Sequence, residues 1–237
     1  MDETVSNGLR KVVQKDVVIL TLDRPEVRNA LNWELTNQLQ TELDSFIRDD
    51  GLRVAIITGS DPGFCSGVDL KEFSAANSPR TKIGAMLRGL PNLGKVVIAA
   101  VNGSARAGGL ELALGCDFII SSEVATFGDT HVTIGALAGS GMTSRLPFAV
   151  GARWAKQMVL TCQPIDAWTA QRIGLVNEVV PHPQLLPRAL QLARSIASHH
   201  PDLITIARNV IDRGVATTLE VALKIEAHAL AEFNVKE

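Results

Sequence analysis

The spacing of hydrophobic and polar positions changes several times along the chain. Residues 9–22, LRKVVQKDVVILTL, are rich in Val and Ile on either side of the polar break Gln14-Lys15-Asp16, which predicts two strands joined by a tight turn. The polar loop DRPEVRNALN follows. From Trp33 to Asp49 the apolar residues Leu35, Leu39, Leu43, Phe46 and Ile47 recur at helical spacing, and Asn32 stands where an N-cap is needed. RVAIITG, at 53–59, reads as a buried strand. A Gly/Ser-punctuated loop (SDPGFCSGVDL), a helical stretch over about 82–93 and a second buried strand (KVVIAAVNG) repeat the alternation, and a glycine pair then opens a short helix carrying Glu111. Beyond Phe127 the pattern is mostly helical: GSGMTSRLPFAVG, ARWAKQMVLTC, DAWTAQRIGL, and amphipathic segments from Pro183 to Asn234 divided by Pro201 and Gly214. Strand, loop, helix, strand is the order of an α/β fold, and neither an internal repeat nor a low-complexity linker interrupts it.

Composition narrows the class. At 237 residues and 46% hydrophobic the chain can bury a full core without disulfides or metal. Its net charge is −2, with no basic stripe interleaved with aromatics, so a nucleic-acid partner is not expected. Cys65, Cys116 and Cys162 are widely spaced and form no C-x-x-C, which argues against a disulfide framework or zinc site and points to a reducing cytoplasm. MDETVSNGLRK contains no apolar leader and no run reaches transmembrane length, so neither export nor membrane anchoring is expected.

The candidate chemistry centres on residues 105–117, ARAGGLELALGCD, where Glu111 stands among Leu110, Leu112, Ala113 and Leu114. Carboxylates are seldom buried unless they are paired or used. Two loops, FCSGVDL and SARAGGLE, each follow a buried strand and bring small residues to where main-chain N–H groups can line a pocket. Val68 and Gly108 are the expected donors of an oxyanion hole, a device in which losing one donor costs roughly 3 to 4 kcal/mol. Glu111 would lie beside it as general base or acid; the structural alternative is an ion pair with Arg106 or Arg145. GFCSG imitates a nucleophile elbow around Cys65, while GSG at 139–141 lacks the third glycine of a dinucleotide fingerprint and reads as a helix start. His199 and His200, just before Pro201, suit capping.

Taken in order, LDRPEVRNALN, VAIITGSDPGFCSGVDLKEF, KVVIAAVNGSARAGGLELALGCDFIISSEVATFG and GLVNEVVPHPQLL resemble the enoyl-CoA hydratase/isomerase (crotonase) superfamily. The resemblance implies a crotonase-like α/β spiral of ββα units over residues 1–180 and a helical C-terminal region, 181–237, that oligomerises into a homotrimer or hexamer. By the same resemblance, the last residues, EAHALAEFNVKE, are expected to stop short of the terminal helix most members carry. It further implies an acyl-CoA thioester whose carbonyl oxygen lies between the N–H groups of Val68 and Gly108, with no metal or redox cofactor, coenzyme A being part of the substrate. Arg24 and Arg28, ordinarily solvated loop charges, would lie near the coenzyme A phosphates and adenine, and Ser66, Asp69 and Leu70 would contact the substrate from the oxyanion loop. That role for the loop makes a covalent Cys65 thiol unexpected. Residues 74–93 would line the acyl pocket.

In the hydratases two glutamates act on the thioester: one activates water for the β-carbon, the other helps deliver a proton to the α-carbon. Glu111 matches one of them, and the second position falls on His131 in FGDTHVTIG, with Asp129 its nearest acidic neighbour. Two readings stand side by side. His131 serves as the second acid/base group and hydration of a 2-enoyl-CoA is kept, or His131 only lines the pocket and hydration is slowed or replaced. The replacement would be another acyl-CoA reaction (isomerisation, decarboxylation, thioester hydrolysis) or plain acyl-CoA binding; the missing glutamate counts against isomerisation.

Overall fold

The computed structural model describes residues 2–6, 8–73 and 80–234. Eleven strands and nine helices are found among them. A seven-stranded sheet begins with β1 (Asp2–Ser6), β2 (Leu9–Gln14) and β3 (Val17–Leu22), paired antiparallel. It continues in parallel through β4 (Val54–Gly59), β6 (Val96–Val101), β8 (Phe118–Ser122) and β11 (Glu178–Val180). β3, β4 and β6 are buried at every position, which is why their sequences run as nearly continuous apolar stretches, broken only by Thr21 and Thr58, instead of alternating.

Successive side chains on these strands point to opposite faces, and each face has its own cover. Val18, Leu20, Ala55 and Ile57 share a core with Leu35, Leu39, Leu43 and Phe46 of α1 (Trp33–Arg48), whose first turn is capped by the Asn32 side chain accepting from Leu35 N–H at 2.9 Å. Val17, Ile19, Val54, Ile56 and Ile98 pack against Leu185, Ala189 and Ala193 of α7 (Leu185–Ala197).

A second, four-stranded sheet has the order β10-β9-β7-β5, built from β5 (Gly63–Cys65), β7 (Ser104–Arg106), β9 (Thr126–Gly128) and β10 (Ile165–Asp166). Each long strand β4, β6 and β8 is followed by a short one in this sheet and then by helix: α2 (Leu70–Phe73) with α3 (Arg80–Gly89), α4 (Gly108–Gly115), and α5 (Met142–Thr161). The structure therefore repeats a strand–strand–helix unit three times where the sequence shows no repeat, because the unit is shared in topology and not in residue identity. α6 (Ala167–Arg172) follows β10. α8 (Pro201–Val215) and α9 (Leu219–Asn234) contain no buried residue; α8 is held to the core by Arg208, which bonds to Asp117 and the Pro91 carbonyl. Among the described residues no helix is long and apolar enough to cross a membrane.

The loop between β3 and α1 turns on Asn29, fully buried with φ 57°, a left-handed conformation asparagine tolerates better than most residues. Its amide donates to the carbonyls of Ser60 (2.8 Å) and Gly63 (2.7 Å), and its oxygen accepts from Arg24 N–H at 2.9 Å. Asn29→Ala leaves those buried partners unsatisfied and should destabilise the fold by about 3 kcal/mol or more, read as a lower midpoint in urea unfolding.

Candidate active site

β5 and β7 are parallel neighbours, and the loops that leave them meet backbone to backbone. A Cβ placed on Gly109 would overlap the Cys65 carbonyl, and one on Gly67, whose φ is 99°, would lie 3.1 Å from both Gly108 N and the Arg106 carbonyl oxygen. Only glycine permits this approach. It brings the Val68 and Gly108 N–H groups close together, and among the described residues neither has a backbone acceptor. The Val68 loop is fastened on both sides: Leu31 N–H donates to Gly67 O (2.8 Å) and Asp69 N–H to Leu31 O (3.0 Å). Ala107, just before Gly108, is held at φ 45° by the turn and by its N–H bond to Gly128 O at 3.1 Å, a strained backbone for a residue with a Cβ.

Glu111 lies in the first turn of α4, 2% exposed. Its Oε1 accepts from two main-chain donors, Ser140 N–H at 2.8 Å and Met142 N–H at 3.1 Å. No ion pair with Arg106 or Arg145 holds it. The Arg106 guanidinium bonds to Thr126 Oγ1 at 3.0 Å, and Arg145 donates to the carbonyls of Arg88 (2.8 Å), Leu87 (3.1 Å) and Ser140 (3.3 Å). Arg145 thus steadies the segment that holds Glu111. GSG at 139–141 is indeed the entry to a helix, with Gly141 as the N-cap of α5 at φ 132°.

The segment between β9 and α5 carries the second candidate group. Asp129 is fully buried, and its Oδ1 accepts from His131 N–H at 3.1 Å and meets the ring Nδ1 at 2.5 Å. The His131 side chain is 13% exposed. Burial opposes a charge on the ring, but the hydrogen bond and charge of Asp129, with the charge of Glu111, outweigh it and raise the imidazole above its ordinary pKa. Both ends of the segment are tied to α4: the Gly128 carbonyl binds Ala107 N–H, and Ser140 and Met142 bind Glu111. Val68 and Gly108 thus adjoin at the start of α4, and the segment that carries His131 is fastened at both ends to the helix that carries Glu111.

The remaining expected site residues act mainly on loop shape. Arg24 commits its guanidinium to the Ala30 carbonyl (2.6 Å) and to Asp69 (3.2 and 3.3 Å), an ion pair whose side chains are 19% and 14% exposed. Ser66 donates from its N–H to Arg28 O (3.0 Å) and from its hydroxyl to Val27 O (3.2 Å). Arg28 and Leu70 are exposed beside this loop. Of the acyl-pocket segment, residues 74–79 lie outside the described residues; Ile83, Met86, Leu87 and Leu90 are in the core. A cleft of about 440 Å³ lies elsewhere, lined by residues such as Ile47, Leu93, Ile196 and Ile204, and includes none of the four groups. Ser140 and Met142 carry no mark of this role in the sequence, since any residue but proline offers an N–H.

Two adjoining main-chain donors beside a buried carboxylate, set at the ends of short strands in a ββα spiral, define a crotonase-fold enzyme. The chain belongs to the enoyl-CoA hydratase/isomerase family, whose model matches residues 13–237. It is 39% identical over 219 residues to the 2,3-dehydroadipyl-CoA hydratase of Escherichia coli, covering 90% of this chain and 85% of that protein. With the short-chain-enoyl-CoA hydratase of Clostridium acetobutylicum it shares 36% identity, covering 91% and 85%. Among solved structures, the enoyl-CoA hydratase of Bacillus anthracis superposes with a TM-score of 0.89 at 34% identity, covering 95% of this chain and 90% of that one.

Cys65 is fully buried, and burial pushes its thiol up to about 12. A thiol so placed is neither ionised nor reachable. In the native protein Cys65 should resist an aromatic disulfide reagent and react only on unfolding, as followed by peptide mapping; fast native labelling would show the loop to be open.

Proposed function

We propose that this enzyme adds water to a 2-enoyl-CoA thioester, with Glu111 and His131 sharing the two proton transfers and Val68 and Gly108 supplying the oxyanion hole. The observation that carries the reading is the anchoring of Glu111. Both main-chain donors converge on Oε1, which leaves Oε2 to serve the substrate, one helical turn from the Gly108 N–H, which like that of Val68 has no backbone acceptor among the described residues. With the thioester oxygen between Val68 and Gly108, water adds to the β-carbon as one side chain takes its proton. The electron pair moves through the α-carbon to the carbonyl oxygen, and the enolate collapses as the other side chain protonates the α-carbon. Hydratase names among relatives 36–39% identical over nine-tenths of the chain support the same reaction.

Coenzyme A enters as part of the substrate, and acid, base and N–H donors meet the needs of this chemistry without a metal or redox group. Arg24 and Asp69 shape the oxyanion loop, Ser66 fastens it, and the exposed Arg28 and Leu70 remain for substrate, Arg28 at its nucleotide end. The exposed Leu203, Ile211, Val215, Leu219 and Leu230 of α8 and α9 support assembly into a homotrimer or a dimer of trimers. Three free cysteines, with Cys65 buried, suit a reducing cytoplasm.

The test is loss of the conjugated-enoyl absorbance when short and medium 2-enoyl-CoA substrates are supplied. Wild type should turn over, and Glu111→Gln should lower kcat by about 10²- to 10⁴-fold while leaving thioester binding near wild type. Binding without absorbance loss in the wild type would move the reading to a different acyl-CoA reaction.

A further inference from the structure

We infer that Asp129 is a positioning residue that makes His131 the proton donor of the pair and leaves Glu111 as the base. This rests on the hydratase reading above and assigns the roles within it. Asp129 is fully buried, yet only Oδ1 has partners, both of them on His131; Oδ2 is buried and without a partner among the described residues. A buried carboxylate with one oxygen uncompensated is costly, and a positive neighbour lowers that cost. Arg106, on the adjacent strand β7, does not pair with it: one guanidinium nitrogen binds Thr126 Oγ1, another is buried without a partner, and no Asp129 ion pair to an arginine or lysine occurs among the described residues. The side chain that does bond to Asp129 is the His131 imidazole, with Nδ1 2.5 Å from Oδ1.

The charged groups acting on that ring are Asp129 on its own segment and Glu111 on α4, both acidic. Two carboxylates bordering one imidazole favour the imidazolium, and the ring's raised pKa agrees with the geometry. With Nδ1 engaged by Asp129, the proton free to leave is the one on Nε2. Glu111, held at Oε1 by two N–H donors, is the group left to accept a proton from water. Had the second position been another carboxylate, two like groups would have to share a single proton; a carboxylate and an imidazolium divide the work by charge. In the hydration step Glu111 takes the proton of the attacking water, and the Nε2–H bond of His131 breaks to protonate the α-carbon, leaving a neutral ring that Glu111 or solvent reprotonates.

The experiment is the pH dependence of hydration for wild type, Asp129→Asn and His131→Gln, with kcat and KM separated. A donor must be protonated, so the wild-type rate should fall as pH rises through the raised His131 pKa. Asp129→Asn removes the negative charge that keeps the ring protonated. Its alkaline limb should therefore move to lower pH, with kcat down at least about tenfold and KM near wild type. His131→Gln should abolish the limb along with most of the rate. If Asp129→Asn leaves limb and kcat unchanged while His131→Gln is inactive, the role of Asp129 is overturned and the hydratase reading stands. If the wild type hydrates no 2-enoyl-CoA, or His131→Gln is fully active, the division of roles fails. Should Asp129→Asn not fold, ¹⁵N NMR of the wild-type ring decides: an imidazolium at neutral pH supports the inference, and a neutral ring overturns it.

Discussion

Gly109 rests its α-carbon against the carbonyl of Cys65, with no room for a side chain between them. This contact joins the end of β5 to the first turn of α4, and the placement of the site follows from it. Were the two segments a methyl group farther apart, the Val68 and Gly108 N–H groups would no longer adjoin, and an oxyanion between them would lose one of its donors. Glu111 is fixed by the same contact, since a helix that starts at Gly108 has no freedom over where its fourth residue falls. α4 is buried on nearly every side, so the surrounding core resists any rotation that would carry the carboxylate away.

A buried carboxylate in such a helix is costly unless hydrogen-bonded, and here the donors come from a segment about thirty residues later. The compensation is shared: Ser140 and Met142 satisfy Glu111, and Glu111 in turn gives the chain between β9 and α5 a fixed point to fold onto. Arg145 strengthens the arrangement by bonding the Ser140 carbonyl together with those of Leu87 and Arg88, so that α3, α4 and the start of α5 are held as one unit. His131 is placed by this polar frame as much as by its own neighbours.

Much of this was legible in the sequence, for identifiable reasons. Strands buried on both faces are apolar nearly throughout, so β3, β4 and β6 are visible as runs. α1 carries a clear helical period and a capping asparagine. The two loops around Gly67 and Gly109 show themselves through glycine, because the close approach admits nothing else. Other features had no residue signature. β1 is a polar segment, DETVS, that is a strand only because β2 offers it an edge. Ser140 and Met142 act through main-chain atoms. Arg24 is visible as a charge, but its commitment to Asp69, forty-five residues away, depends on how the two loops fold together. The buried role of Asn29 likewise emerges only when Ser60 and Gly63 come within reach. Asp129 and His131 were visible as letters, while the bond between them was not.

The attachment of Glu111 through a single oxygen also bears on stereochemistry. A carboxylate free to rotate presents either oxygen; one pinned at Oε1 presents Oε2 along one direction, toward one face of a planar double bond. Facial preference is then set by two peptide groups and not by the bulk of any side chain. Substitutions lining the acyl channel would alter which chains are accepted, yet the configuration at the new carbinol carbon would stay under the control of the main chain at residues 140 and 142.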